Sequence, residues 1–117
     1  MCQAVRAAVG DDYTVMLDST WSYTYEHAIR VGRAVEEMGF YWYEDPLADD
    51  DLYNAIKLRE KLDIPLMLTE YSPGGFTNYV PWIINKATDF LRGDVRSEEH
   101  TSELQSRRNL VCRPLLE

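Results

Sequence analysis

The sequence predicts an α/β chain made of successive strand–helix units around a parallel sheet. Short apolar runs alternate with longer stretches whose apolar residues recur every three or four positions. Each of three apolar runs ends on a carboxylate: Asp18 after Val15-Met16-Leu17, Glu44 after Tyr41-Trp42-Tyr43, and Glu70 after Leu66-Met67-Leu68-Thr69. Those acids stand 26 residues apart in both intervals, the period of one β/α unit repeated.

Taken in order, Met1 to Val9 carries Val5, Ala8 and Val9 on one side and reads as the last turns of a helix, with Gly10 at its C′ position. Asp11 and Asp12 read as turn residues, and Tyr13–Leu17 as the first strand, with Asp18 at its tip. Thr24 is placed to cap a helix running to about Met38, with Ala28, Val31, Val35 and Met38 facing the sheet. His27 reads as a surface or packing residue, because no second His or Cys lies one helical turn away. Gly39 closes that helix. The aromatic run Tyr41-Trp42-Tyr43 reads as a short buried strand that Pro46 brings to an end.

Asp49-Asp50-Asp51 lacks the alternating spacing of a calcium loop and reads as favourable charge at the start of a helix over Leu52–Leu62. Leu52, Ala55, Ile56 and Leu62 would face inward. Ile64-Pro65 leads into the third strand, and Tyr71–Phe76 reads as a turn. Asn78 would cap a further helix, with Pro81 in its first turn and Tyr79, Ile83, Ile84 and Ala87 on its apolar face. Thr88–Arg92 begins a fourth strand, with Asp94 near its tip, 24 residues after Glu70.

Parallel strands lie about 4.8 Å apart. Right-handed crossovers place consecutive strands side by side, with their C-terminal ends on one edge. Asp18, Glu44 and Glu70 are therefore expected to converge there. Bare carboxylates so close repel one another. A hard divalent cation such as Mg²⁺ relieves that repulsion, because it favours oxygen ligands. A lone loop acid more often caps a helix or faces solvent; the repeated register favours the shared site.

The chain has 117 residues, 45% of them hydrophobic, enough for one small domain. No apolar run approaches the about 18 residues of a membrane span, and Cys2 and Cys112 make no disulfide framework, so the cytoplasm is the expected compartment. The net charge of −8 argues against non-specific nucleic-acid binding. All of the excess lies in residues 1–95, since residues 96–117 carry four basic and four acidic side chains. That last stretch is of different texture. Arg96–Ser106 resembles, codon by codon, the translation of a short-read sequencing adapter, and Leu110–Arg113 with Leu115-Leu116 resembles its constant continuation. Residues 96–117 are accordingly expected to be a non-native, disordered tail outside the fold, and Cys112 and His100 to have no functional role.

Asp18, Glu44 within Trp-Tyr-Glu-Asp-Pro, and Glu70, on successive strands, resemble the metal ligands of the enolase superfamily, in its mandelate racemase and muconate lactonising branch. The resemblance covers residues 1–95. It implies a partial TIM-like (β/α)7β barrel, with Asp18, Glu44 and Glu70 ending the third, fourth and fifth barrel strands and Asp94 on the sixth. Members of the superfamily abstract the proton α to a carboxylate, and Mg²⁺ stabilises the ene-diolate that results.

By the same resemblance Asp94 is catalytic: it is similar to the aspartate that pairs with a histidine on the seventh strand to form a general base. An acid-sugar dehydratase acting on a small carboxylate substrate is the first expectation, and a racemase or epimerase the second. The parent is expected to be a homo-oligomer. Some features depart from the family. Its Lys-x-Lys pair would precede Met1, the histidine would follow Val95, and Asp18-Ser19-Thr20 stands where relatives often have Asp-x-Asn. A closed barrel needs about 250 residues, so the chain is read as an interrupted piece, inactive by itself. A non-catalytic acidic α/β binding module is the alternative from another class, with a different metal-dependent barrel, such as a hydrolase, behind it.

Overall fold

The first helix, Cys2–Val9 (α1), ends at Gly10, whose φ of 81° a side chain would disfavour. The structure, a computed structural model, describes residues 1–70, 75–93 and 110–112. Val5 and Val9 are exposed, so α1 is not held by an apolar stripe. Arg6 anchors it instead. The buried guanidinium donates to the carbonyls of Met38, Gly10, Tyr13 and Gly39 at 2.7–3.0 Å and lies over the Phe40 ring.

This arrangement shortens the first strand. Tyr13 is expected from the sequence to open it, but its carbonyl accepts from Arg6, and strand β1 is only Leu17–Asp18. Helix α2 is Tyr25–Glu37, and the Thr24 side chain accepts from His27 N–H as its cap. Strand β2 is Tyr43–Glu44. Of the aromatic run expected to be buried, Tyr43 is; Tyr41 is 52% exposed, although its N–H donates to Val15 O at 2.8 Å. Helix α3, Leu52–Lys61, is capped by Asp51, which accepts from Asn54 N–H at 3.2 Å. Strand β3 is Leu66–Leu68, and a 3-10 turn over Gly75–Asn78 runs into helix α4, Tyr79–Ile84. Strand β4 is Phe90–Gly93.

The strands lie in sequence order. β1, β2, β3 and β4 are mutually parallel neighbours, and Leu110–Cys112 (β5) adds antiparallel to β4. β5 falls within the stretch that resembles adapter sequence. An open edge offers unpaired N–H and C=O groups to any extended segment of the right composition, whatever its origin.

Helices pack on one face of the sheet. Tyr43, Leu66 and Leu68 meet Ala28 and Val35 of α2, Ala55 and Leu58 of α3, and Trp82 of α4. Gly32 permits the closest approach: a Cβ there would lie 2.3 Å from Leu62 Cδ1 and 3.2 Å from Tyr43 Cε1. On α4, Trp82 is buried with Tyr79, whereas Ile83 and Ile84, expected inward, are exposed. The helix is too short for its stripe to reach both, and Trp82 has the larger apolar surface to bury. His27 is exposed, as expected. Among the described residues no helix is long and apolar enough to cross a membrane.

Candidate metal centre

Side chains alternate across a strand. Tyr43 faces the helices, so Glu44 faces away from them. The register pairs Asp18 with Glu44, Glu44 with Met67, and Met67 with Phe90. Trp42 and Arg92 share that parity. The helix-free face of the sheet therefore carries an aromatic floor, with the Trp42 and Phe90 rings 5.8 Å apart. Above it, at the C-terminal ends of the strands, stand the acids.

One oxygen from each of Glu44, Asp45 and Glu70 lies within 4.8 Å of the others. Two expected site residues, Glu44 and Glu70, are thus brought together. Asp18 is not in this group. It sits beside Glu44 in register, but its Oδ1 accepts from the Thr20 N–H at 3.0 Å and the Thr20 hydroxyl at 3.2 Å, forming a local turn. Its charge still reaches Glu70. Asp94 lies outside the described residues, as do Tyr71–Gly74.

Sequence reasoning misses two residues. Asp45 reads from the sequence as no more than part of the Glu-Asp-Pro turn. It is 3% exposed, and its Oδ1 accepts from Thr69 N–H at 3.0 Å. Burial, then the charges of Asp49 and Glu44, push its carboxyl up to about 8. Nothing in the sequence distinguishes a buried aspartate at that position from an exposed one. Arg92 reads as a strand residue without a role. Its guanidinium bonds Glu44 through Nη1 and Glu70 through Nη2, the latter at 2.7 Å. The signal is present: a cation two residues after Phe90 must share that residue's face.

The charges balance locally. Burial works against the Arg92 cation, yet Glu44 and Glu70 hold its pKa above the ordinary value. Burial also raises Glu70, with Arg92 opposing and Glu44 assisting. The Trp42 indole donates to Glu44 Oε2 at 3.1 Å.

The backbone at this rim is strained. Among the described residues five non-glycine positions have positive φ, and four of them lie just after strands here: Thr20 (45°), Trp21 (57°), Asp45 (40°) and Thr69 (67°). A β-branched residue such as Thr69 is rare in this region. Hydrogen bonds between neighbouring loops hold the shape. Ser19 N–H donates to Glu44 O at 3.0 Å and Trp21 N–H to Asp45 O at 2.7 Å, and the Trp21 indole donates to Asp49 at 3.0 Å.

A carboxylate offers about four acceptor positions, and Glu44 and Glu70 spend only part of theirs on Arg92 and Trp42. All donors in the cluster are hard oxygens. The set fits a divalent cation such as Mg²⁺, and lacks the imidazole and thiolate ligands typical of zinc.

Residues 1–98 match the family model described as enolase C-terminal domain-like. The chain is 34% identical over 91 residues to the L-talarate/galactarate dehydratase of Salmonella typhimurium, covering 78% of this chain and 23% of that protein. It is 29% identical over 114 residues to the arabinonate dehydratase of Saccharolobus solfataricus, covering 93% of this chain and 29% of that protein. Among solved structures it resembles the D-glucarate dehydratase of Agrobacterium tumefaciens complexed with magnesium. The TM-score is 0.75 and the identity 37%, over 79% of this chain and 24% of the other. The chain thus spans about a quarter of the length of the relatives it matches.

Proposed function

This chain belongs to the enolase C-terminal domain-like family as part of its barrel, and from that premise we propose that it carries the metal-binding rim of a Mg²⁺-dependent acid-sugar dehydratase. The observation that carries the reading is the convergence of Glu44 and Glu70 at adjacent strand ends, in a chain similar to a magnesium-complexed dehydratase.

In this reading Glu44, Glu70 and Asp18 hold the ion. Asp18 is preferred over Asp45 as the third ligand because Asp45 is buried and its Oδ1 is already engaged by the Thr69 N–H. Asp18 is in register with Glu44 and needs only to leave its Thr20 turn. When bound, the ion supplies positive charge where negative charge develops as the α-proton leaves. The chain's own residues set the frame. Trp42 orients Glu44, the aromatic floor excludes water from below, and Asp94 is assigned a share in the general base. The substrate class is a sugar acid bearing a carboxylate and a β-hydroxyl leaving group. The whole enzyme is placed in the cytoplasm as a homo-oligomer, and residues 96–117 are assigned to adapter-derived sequence rather than to the enzyme.

The test is calorimetric titration of the chain with Mg²⁺, and of its Glu44→Gln variant. Binding that disappears in the variant supports the reading; equal binding in both, or none in either, refutes it. For the activity, a longer protein containing residues 1–95 is supplied with aldonates and aldarates. A 2-keto product is expected. An epimer formed without loss of water would instead favour the racemase.

A further inference from the structure

We propose that Arg92 is a positioning residue for the metal ligands, gripping one oxygen of Glu44 and one of Glu70 so that their remaining oxygens face a common cation. This inference rests on the metal-binding reading above and adds to it a residue from a strand that supplies none of the three ligands.

Three observations carry it. The first is the fork. Nη1 binds Glu44 and Nη2 binds Glu70, so the two arms of a rigid planar group fix two carboxylates relative to each other. A lysine ammonium, a compact point charge on a flexible stem, lacks that geometry. The second is burial. The side chains of Arg92, Glu44 and Glu70 are 19%, 8% and 13% exposed, so solvent screens the contacts little, and losing Arg92 would leave two nearly buried like charges facing each other. The third is the choice of atoms. Arg92 takes Oε1 of both glutamates, and the other Glu44 oxygen is steadied by Trp42. Partners behind a ligating carboxylate orient it, and their loss typically weakens metal binding about 10–100-fold.

Charge does not turn Arg92 into a simple substitute for the ion. Two glutamates and one guanidinium leave a net negative site that still attracts a divalent cation. Arg92 also reaches Glu44 from β4 across the intervening β3, so the contact ties three strands together at the rim.

The experiment is Mg²⁺ calorimetry on the 117-residue chain and on its Arg92→Met and Arg92→Lys variants, with circular dichroism to follow folding. Arg92→Met is expected to weaken Mg²⁺ binding at least about tenfold, and Arg92→Lys to recover only part of the loss. Affinity in Arg92→Met equal to or above that of the unaltered chain overturns the proposal: Arg92 would then occupy the cation's place and compete with it. If Arg92→Met does not fold, Arg92→Lys decides, and full affinity in that variant overturns the proposal. Unchanged binding in the Arg92 variants with loss in Glu44→Gln removes this inference alone. No binding by the unaltered chain removes both.

Discussion

Asp45→Asn should flatten the pH dependence of stability in metal-free buffer. In the folded chain the Asp45 carboxyl is raised from an ordinary 3.8 to about 8, first by burial and then by Asp49 and Glu44. The native state therefore binds this proton more tightly than the unfolded state does. The contribution to stability is fully present below pH 3.8 and is lost as pH rises through 8. Between those values each pH unit removes about 1.4 kcal/mol, so from about pH 5 to about pH 8 the loss amounts to about 4 kcal/mol. A domain's whole stability is about 5–15 kcal/mol, which makes the effect large. Asparagine keeps an Oδ1 acceptor for the Thr69 N–H but has no carboxyl to titrate. The assay is urea unfolding followed by tryptophan fluorescence at those two pH values, with EDTA present. The unaltered chain should lose about 4 kcal/mol more than Asp45→Asn over that interval. An equal loss in both would mean that the Asp45 carboxyl is hydrated and titrates normally, and the account of its burial would fail.

Mg²⁺ should raise the melting temperature more at about pH 8 than at about pH 5, because cation and protons compete for the same carboxylates; a thermal shift independent of pH would contradict carboxylate ligation. Arg6→Met should lower stability by about 3 kcal/mol, since four carbonyls lose a charged donor while the methionine keeps the contact with Phe40. Unfolding in urea reads this directly, and a change below about 0.5 kcal/mol, ordinary for a surface position, would show that Arg6 does not anchor α1.

Much of this organisation is legible in the sequence because it follows from period and punctuation. Thr24 and Asp51 cap the helices they precede, and the acids follow their apolar runs at a fixed spacing. Glu44 and Glu70 can be placed on one rim from spacing alone, since parallel strands connected in order leave few other arrangements. Details that depend on contacts between distant segments cannot be read this way. Arg6 anchors α1 through carbonyls 32 and 33 residues away, which no local pattern encodes. Gly32 escapes notice because its value lies in the volume that Leu62 and Tyr43 occupy. The outward turn of Asp18 depends on Thr20, whose left-handed backbone is not a threonine preference.

The left-handed turns are polarised: Thr20, Trp21, Asp45 and Thr69 all sit at the end of the sheet where the acids gather. Glycine or asparagine at these places would relax the chain and make it hardier, while letting the acid-bearing tips wander. Selection for robustness and selection for chemistry would therefore pull the same few codons in opposite directions. The opposite end, where Gly10 and Gly39 take the left-handed bends, can be altered without that conflict.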